Sequence, residues 1–201
     1  MSPCYDCEFN DRAQPCRSGG EAYDFDRMAE AYRGYWTARL ADAEPDPSDE
    51  WISDCVSHLE RNDGPAALLF IVFALERVRS AEMLAVHAAG PLENVLDHCG
   101  PEIIEAVEGL ARRSPKFRLM LSGVWGRNRI APEIWERICV TVATGPVFCD
   151  DFRTPGHRSG LSQASDAAIA ALLETSVIAD LGGRDAMIAF INGAFRTGTA
   201  V

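Results

Sequence analysis

Prolines at the start of successive amphipathic stretches constrain the fold of this chain more than any other feature. The pairs share a glycine, serine or alanine before the proline: Gly64-Pro65, Gly90-Pro91, Gly100-Pro101, Ser114-Pro115 and Ala131-Pro132. Proline is favoured at the first helical position, where its missing N–H would be unpaired anyway, and glycine is favoured just past a helix end. No convincing alternation of period two separates these pairs. The sequence therefore predicts an all-α fold, an irregular and αα-repeat-like array of about nine or ten short antiparallel helices.

Apolar side chains at helical spacing predict which faces turn inward. The stripe of the first helix, over 24–42, consists of Phe25, Met28, Ala29, Tyr32, Trp36 and Leu40. The stripe of the second helix consists of Trp51, Ile52, Cys55, Val56 and Leu59. The stretch 66–78 is apolar almost all round, which is typical of a central helix covered on several sides. Short, separate helices are predicted over 80–90, 91–99 and 101–113, and further helices begin at Pro115 and Pro132.

Composition divides the chain into four segments. We predict a cysteine-containing N-terminal segment over 1–23, a helical core domain over 24–145, a loop or linker over 146–161, and a C-terminal helical pair over 162–201 docked on the core. The stretch 145–160 is rich in glycine, proline, aspartate and arginine. A connection of this length is usually either functional or a linker.

The charge balance limits the classes of partner. The chain has 19 basic and 30 acidic residues and a formal net charge of −11, and residues 1–63 hold 15 of the acids against 6 bases. Nucleic acids and anionic membranes attract lysine and arginine, so this balance disfavours both and is compatible with a basic protein partner. Lys116 is the single lysine, and such an excess of arginine is typical of GC-rich bacterial genomes.

The cysteines and the N-terminal residues indicate a compartment. Seven cysteines, several of them at core-like positions, favour reduced thiols over a disulfide framework. The chain does not begin with a basic start followed by an apolar run, so we expect a cytoplasmic protein. Cys4 and Cys7 have the spacing of a zinc knuckle, with Cys16 as a third ligand. Reduced cysteines without metal are the alternative, and no other cofactor is predicted.

Three blocks of residues resemble a family of short bacterial helical proteins known only as a domain of unknown function. These blocks are Gly90-Pro91-Leu92-Glu93, the stretch 107–118, and Gly123-Val124-Trp125-Gly126 with its continuation to Arg137. The resemblance covers about residues 51–142. It implies a small cytoplasmic helical domain and brings no activity with it.

Glu93 and Trp125 are the candidate binding residues within these blocks. Glu93 follows Pro91 at a predicted helix start, where a carboxylate meets exposed N–H groups and the positive end of the helix dipole. The alternative is a carboxylate aimed at a basic partner or at the arginines near Trp125. The surrounding glycines predict Trp125 as a core or turn anchor, and an exposed binding anchor is the alternative.

A basic stretch that contains no acid supplies the other candidate residues. Its members are Arg112, Arg113, Lys116, Arg118, Arg127 and Arg129. We expect them to face the acidic first third of the chain, a neighbouring chain or solvent. An anion-binding or nucleic-acid footprint is the alternative.

The chain carries no phosphate-binding glycine loop, no His-Glu-x-x-His motif and no nucleophile elbow. The sequence therefore predicts a non-enzymatic protein–protein interaction module that binds a basic partner, as an immunity or antitoxin-like protein does; a homo-oligomer is a further option. One alternative is an enzyme or small-ligand protein with a site near the 145–160 loop. Its reactive candidates are Cys149, Asp150, Asp151, Arg153 and His157. The other alternative is a zinc-containing adaptor or nucleic-acid-associated protein.

Overall fold

A computed structural model of the protein describes residues 16–17, 22–148 and 163–196. These residues form helices joined by turns, with isolated bridges but no strand, so the all-α prediction is confirmed. In chain order the helices are α1 (Phe25–Leu40), α2 (Trp51–Asn62), α3 (Gly64–Leu75), α4 (Ala81–His87), a π-helical turn (Ala88–Leu92), α5 (Glu93–Arg113), α6 (Pro115–Ser122), α7 (Pro132–Val142), α8 (Asp166–Leu173), α9 (Val177–Asp180) and α10 (Arg184–Arg196). In these ranges no helix combines the length and the apolarity needed to cross a membrane.

Helix α3 lies at the centre of the molecule, as its uniformly apolar sequence predicts. Asp63 caps its start by accepting a hydrogen bond from the N–H of Ala66 at 3.0 Å, and Pro65 occupies the first turn. Apart from this proline, every residue of α3 is buried. Helices α1, α2, α5 and α10 all pack against it. A helix without a polar face has no side to turn to water, so the other helices surround it.

The predicted inner faces of α1 and α2 are largely confirmed. Met28, Ala29 and Tyr32 are buried, and the Tyr32 ring meets Phe70 of α3 edge-on at 5.3 Å. In α2, four of the five predicted residues are buried and Trp51 is half-buried. The prediction for Leu40 is wrong, because this residue lies in the last turn of α1 and is 46% exposed.

Two predicted helix boundaries are wrong. Helix α5 runs without interruption through Pro101, so the predicted separate helices over 91–99 and 101–113 do not form. An internal proline removes one backbone hydrogen bond, but the continuous helix buries a long apolar face, and Gly100 lies directly against Ile134 of α7. The predicted helix end at Gly90 is also wrong, because α4 continues through the π-helical turn into α5.

The C-terminal helices pack on this core. Met187 and Ile191 of α10 are fully buried, and Gly109 of α5 lies against the ring of Phe190. The ammonium group of Lys116, which is also fully buried, donates to the carbonyl oxygens of Val78 at 3.1 Å, Leu173 at 2.9 Å and Thr175 at 3.3 Å. Lys116 thereby connects the end of α8 to the segment that follows α3. The boundaries of the four sequence segments stay a prediction.

Candidate functional site

Glu93 does not occupy a free helix start, and this part of the sequence prediction is wrong. The backbone N–H of Glu93 donates to the carbonyl of Ala88 within the π-helical turn, so it is already satisfied. The side chain, only 7% exposed, turns toward the connection between α6 and α7. Its Oε2 accepts the backbone N–H of Trp125 at 2.8 Å, and its Oε1 accepts from Arg129 at 3.3 Å. The alternative that aimed Glu93 at the arginines near Trp125 describes the observed geometry.

Trp125 lies on the surface in the 123–131 connection. Helix α6 ends at Ser122, and Trp125 is 46% exposed, so the core placement in the prediction of a core or turn anchor is wrong, whereas the turn placement is not contradicted. Gly126 explains how the chain turns so closely here. A Cβ at that position would lie 2.7 Å from Ile130 Cγ1, so that side chain would have to shift, and at a tight 3.2 Å from Glu93 Cγ. The glycine lets the backbone approach Glu93, and this approach presents the indole ring outward.

Arg129 joins this connection to α5. Its guanidinium donates to Asp97 Oδ2 at 2.9 and 3.2 Å, to Asn94 Oδ1 at 3.1 Å and to Glu93 Oε1 at 3.3 Å. Glu93 and Asn94 lie four and three residues before Asp97, and residues at these spacings are neighbours on a helix surface. Two contacts with α5 therefore hold the segment that carries Trp125. The Glu93 carboxylate accepts the Trp125 backbone N–H, and the guanidinium of Arg129, four residues further on, donates to side chains of α5.

Sequence reasoning missed Glu60, which lies behind this arrangement on α2. Its side chain is 5% exposed, and its Oε2 accepts the amide N–H of Asn94 at 3.0 Å. Burial raises the pKa of Glu60 from its ordinary value of 4.5 to about 7. Asn94 and Asp97 were missed as well. A signal for Glu60 does exist in the sequence, because Ile52, Val56 and Glu60 follow one another at intervals of four and share the buried face of α2.

The basic stretch is dispersed over several environments. Lys116 is buried, the Arg113 guanidinium lies 4.0 Å from the centre of the Phe190 ring, and Arg129 takes part in the contacts described above. Arg112 is exposed and Arg127 is half-buried. A common anion-binding face would require these cations to point the same way, which at least Lys116 does not.

The metal and loop predictions fall mainly outside the described residues. Cys4 and Cys7 lie outside the described residues, whereas Cys16 is described and buried. The pKa of Cys16 is lowered to about 7, mainly by a hydrogen bond from the neighbouring Cys55 thiol. Among the described residues no three His, Cys, Asp or Glu side chains converge as metal ligands would. The candidates over 149–157 are likewise outside. The described edge of that loop is anchored, since Ser122 Oγ accepts the N–H of Phe148 at 2.7 Å.

Comparison with known proteins places the chain in a family. DUF6869, described as a family of unknown function, matches residues 39–145. The match starts earlier and ends slightly later than the resemblance noted from the sequence, which covered about residues 51–142. A search of curated proteins found no match, and a search of solved structures found none either. Because the matched segment is more than half of the chain and contains Glu60, Glu93, Trp125 and Arg129, the protein belongs to the DUF6869 family of unknown function.

Proposed function

We propose that this protein is a non-enzymatic interaction module that binds a basic protein partner through Trp125. The observation that carries the proposal is an exposed tryptophan whose backbone is fixed by a buried carboxylate. The setting we propose is the bacterial cytoplasm, where a role beside a basic partner, such as that of an immunity or antitoxin-like protein, would suit its acidic charge.

The geometry around Trp125 favours recognition because the ring is presented on a preorganised segment. Tryptophan is enriched among the few interface residues that dominate binding energy. Binding is costly when a loop must first be ordered. Here Glu93 and Arg129 already hold the segment at both ends, so a partner would cover the indole ring at a smaller entropic cost.

The charge around Trp125 supports a basic partner. The carboxyl groups of Glu93 and Asp97 accept from the guanidinium of Arg129, and the carboxyl group of Glu60 lies behind them, bonded to Asn94. The whole chain carries a formal charge of −11, and complementary charge accelerates association and disfavours partners of like sign. An acidic protein that exposes an aromatic ring matches a partner that offers an apolar pocket bordered by arginine or lysine.

The experiment compares three full-length proteins as baits in the native host: the wild type, Trp125→Ala and Val140→Ala. Val140 is the matched control, because it is an apolar side chain on α7 that is 67% exposed. Proteins captured by the wild type are identified, purified and titrated calorimetrically against all three baits at low and moderate salt. We expect Trp125→Ala to weaken binding by roughly 30-fold, the effect of losing about 2 kcal/mol, and Val140→Ala to leave it unchanged.

Several outcomes would overturn the proposal. Equal affinity of Trp125→Ala and the wild type would exclude the tryptophan as the anchor. Affinity that does not fall with salt would exclude a basic partner, since attraction between exposed charges is screened. Wild-type self-association that the Trp125 variant abolishes, measured by sedimentation, would assign the surface to a second copy of this chain.

A further inference from the structure

A continuous chain of hydrogen bonds connects buried Glu60 with the backbone of Trp125. Glu60 Oε2 accepts from Asn94 Nδ2 at 3.0 Å, and Asn94 Oδ1 accepts from Arg129 at 3.1 Å. Arg129 donates to Glu93 Oε1 at 3.3 Å, and Glu93 Oε2 accepts the N–H of Trp125 at 2.8 Å. The path joins α2, α5 and the 123–131 connection through side chains and ends on the backbone N–H of Trp125. Every link is a direct contact within hydrogen-bond range.

The environment of Glu60 determines when its charge changes. Among the described residues the Asn94 amide is the only hydrogen-bond donor to the Glu60 carboxyl, while the Cys99 thiol donates to the backbone oxygen of Glu60. The titratable or charged groups that act on its carboxyl come from four elements: Tyr32 on α1, Arg61 on α2, His98 on α5, and Arg129 in the 123–131 connection. The cations favour the carboxylate, but burial opposes it more strongly, and the pKa of Glu60 rises to about 7.

We propose that Glu60 is a proton switch for the Trp125 surface, acting through Asn94 and Arg129. The effect on partner affinity rests on the proposed function, whereas the effect on the Trp125 segment does not. This inference goes beyond the anchor itself, because it assigns a regulatory role to a buried residue that no partner would touch.

The mechanism follows from the donor and acceptor roles along the path. Ionised Glu60 accepts a charge-assisted hydrogen bond from the Asn94 amide, which fixes the amide so that its oxygen faces Arg129. Protonation removes that charge and weakens the preference for this amide orientation. Arg129 is then held by Glu93 and Asp97 alone. The shift of Arg129 toward these two carboxylates alters the hydrogen bond between Glu93 and the Trp125 N–H. Protonation of Glu60 itself also removes one negative charge from beneath the surface.

The test follows the backbone amide of Trp125 and the Arg129 Nε–H by NMR in the full-length protein, from about pH 5.5 to pH 8.5. Both signals should move with one midpoint near pH 7 in the wild type. In Glu60→Gln, which keeps an acceptor for Asn94, neither signal should show this midpoint. In Asn94→Ala the Glu60 carboxyl should still titrate, as its carbon shift reports, but Trp125 should no longer follow it.

His98 provides the decisive control, because it acts electrostatically on the Glu60 carboxyl and its Nδ1 lies 2.8 Å from the Asn94 backbone oxygen. His98→Gln should leave the Trp125 midpoint unchanged. Loss of the midpoint in His98→Gln, or its persistence in Glu60→Gln, overturns the switch. If Glu60→Gln does not fold, a midpoint that persists in Asn94→Ala gives the same refutation.

Partner titration separates failure of the switch from failure of the proposed function. If the switch and the interaction role are both correct, a basic partner should bind the wild type about tenfold more tightly at pH 8 than at pH 6, because one proton is linked to binding. The same partner should bind Glu60→Gln with equal affinity at the two pH values. A Trp125 midpoint that depends on Glu60, without any Trp125-dependent partner, would uphold the switch and reject only the interaction role. Partner binding through Trp125 that shows no pH difference between the wild type and Glu60→Gln would reject the switch alone.

Discussion

Two buried groups should give the stability of this protein opposite dependences on pH. Burial raises the pKa of Glu60 from 4.5 to about 7, and burial lowers the pKa of His87 from 6.5 to about 4. The raised carboxyl stabilises the fold fully below pH 4.5, and this stabilisation is lost as the pH rises through 7. The lowered imidazole behaves in the other direction, because its stabilisation is present above pH 6.5 and is lost as the pH falls toward 4.

The magnitudes follow from the pKa differences. Between pH 8 and pH 5, Glu60 should add about 2.5 kcal/mol to the free energy of unfolding, and His87 should remove about 2 kcal/mol. The two contributions nearly cancel in the wild type. Replacing either group leaves only the pH dependence of the other. On going from pH 8 to pH 5, Glu60→Gln should therefore lose stability relative to the wild type, and His87→Gln should gain stability relative to the wild type.

The assay is urea unfolding followed by circular dichroism at pH 8, 6.5 and 5 for the wild type and both variants. Each substitution also has a fixed cost, so the informative quantity is how the difference from the wild type changes with pH. All other titrating groups are common to the proteins and cancel in this difference. The reasoning is refuted if either variant keeps a constant difference from the wild type, or if both differences change in the same direction.

Three further substitutions, together with one control substitution, test the packing that positions the site, all by urea unfolding at pH 7. Gly109→Ala should destabilise the protein by about 1–2 kcal/mol, because the new methyl group meets the ring of Phe190. The control Gly193→Ala places its methyl group where no atom lies within 4 Å, so it should be neutral or stabilising by up to about 1 kcal/mol. Equal effects of the two substitutions would contradict the contact with Phe190. Lys116→Met should cost about 3 kcal/mol, since the carbonyl oxygen of Thr175 loses its donor and those of Val78 and Leu173 keep only Arg79; an unchanged midpoint would show that the ammonium group does not connect the two segments. Ser122→Ala should cost about 1–2 kcal/mol through the loss of the acceptor for a backbone N–H at 2.7 Å, and the idea fails if the loss is below a few tenths.

The helices that could be predicted from the sequence are those whose ends and faces are set by nearby residues. The buried face of α2 and the central position of α3 follow from apolar spacing, which is a local property. Pro65 and Pro115 begin helices because Asp63 and Ser114 supply capping oxygens just before them. Gly90 and Gly100 are not preceded by such a cap, and the prolines after them lie inside helical segments. A capping residue therefore favours a helix start at the following proline but is not required for one, since Pro132 begins α7 without a side-chain cap.

The site could not be predicted in the same way because its contacts depend on how distant segments dock. Glu93 meets partners 32 and 36 residues further along the chain, and Asn94 meets one 34 residues earlier. The π-helical turn adds a second difficulty. One extra residue in a helix rotates everything that follows by roughly 100°, so the turn at Ala88–Leu92 decides which face of α5 carries Glu93.

Proline chemistry explains why the turn occurs at this place. Pro91 has no N–H for the carbonyl of His87 and crowds it in a regular helix, and the wider π-helical ring relieves that contact while α5 keeps its long buried face. A Gly-Pro pair within an apolar stretch can therefore mark either a helix start or a π-helical turn that rotates the faces of the helix after it. Which of the two forms is decided by the buried area on its C-terminal side. Here the apolar face of α5 favours the continuous helix with a π-helical turn. The rotation that buries Val95 and Leu96 also directs the Glu93 side chain toward the Trp125 backbone.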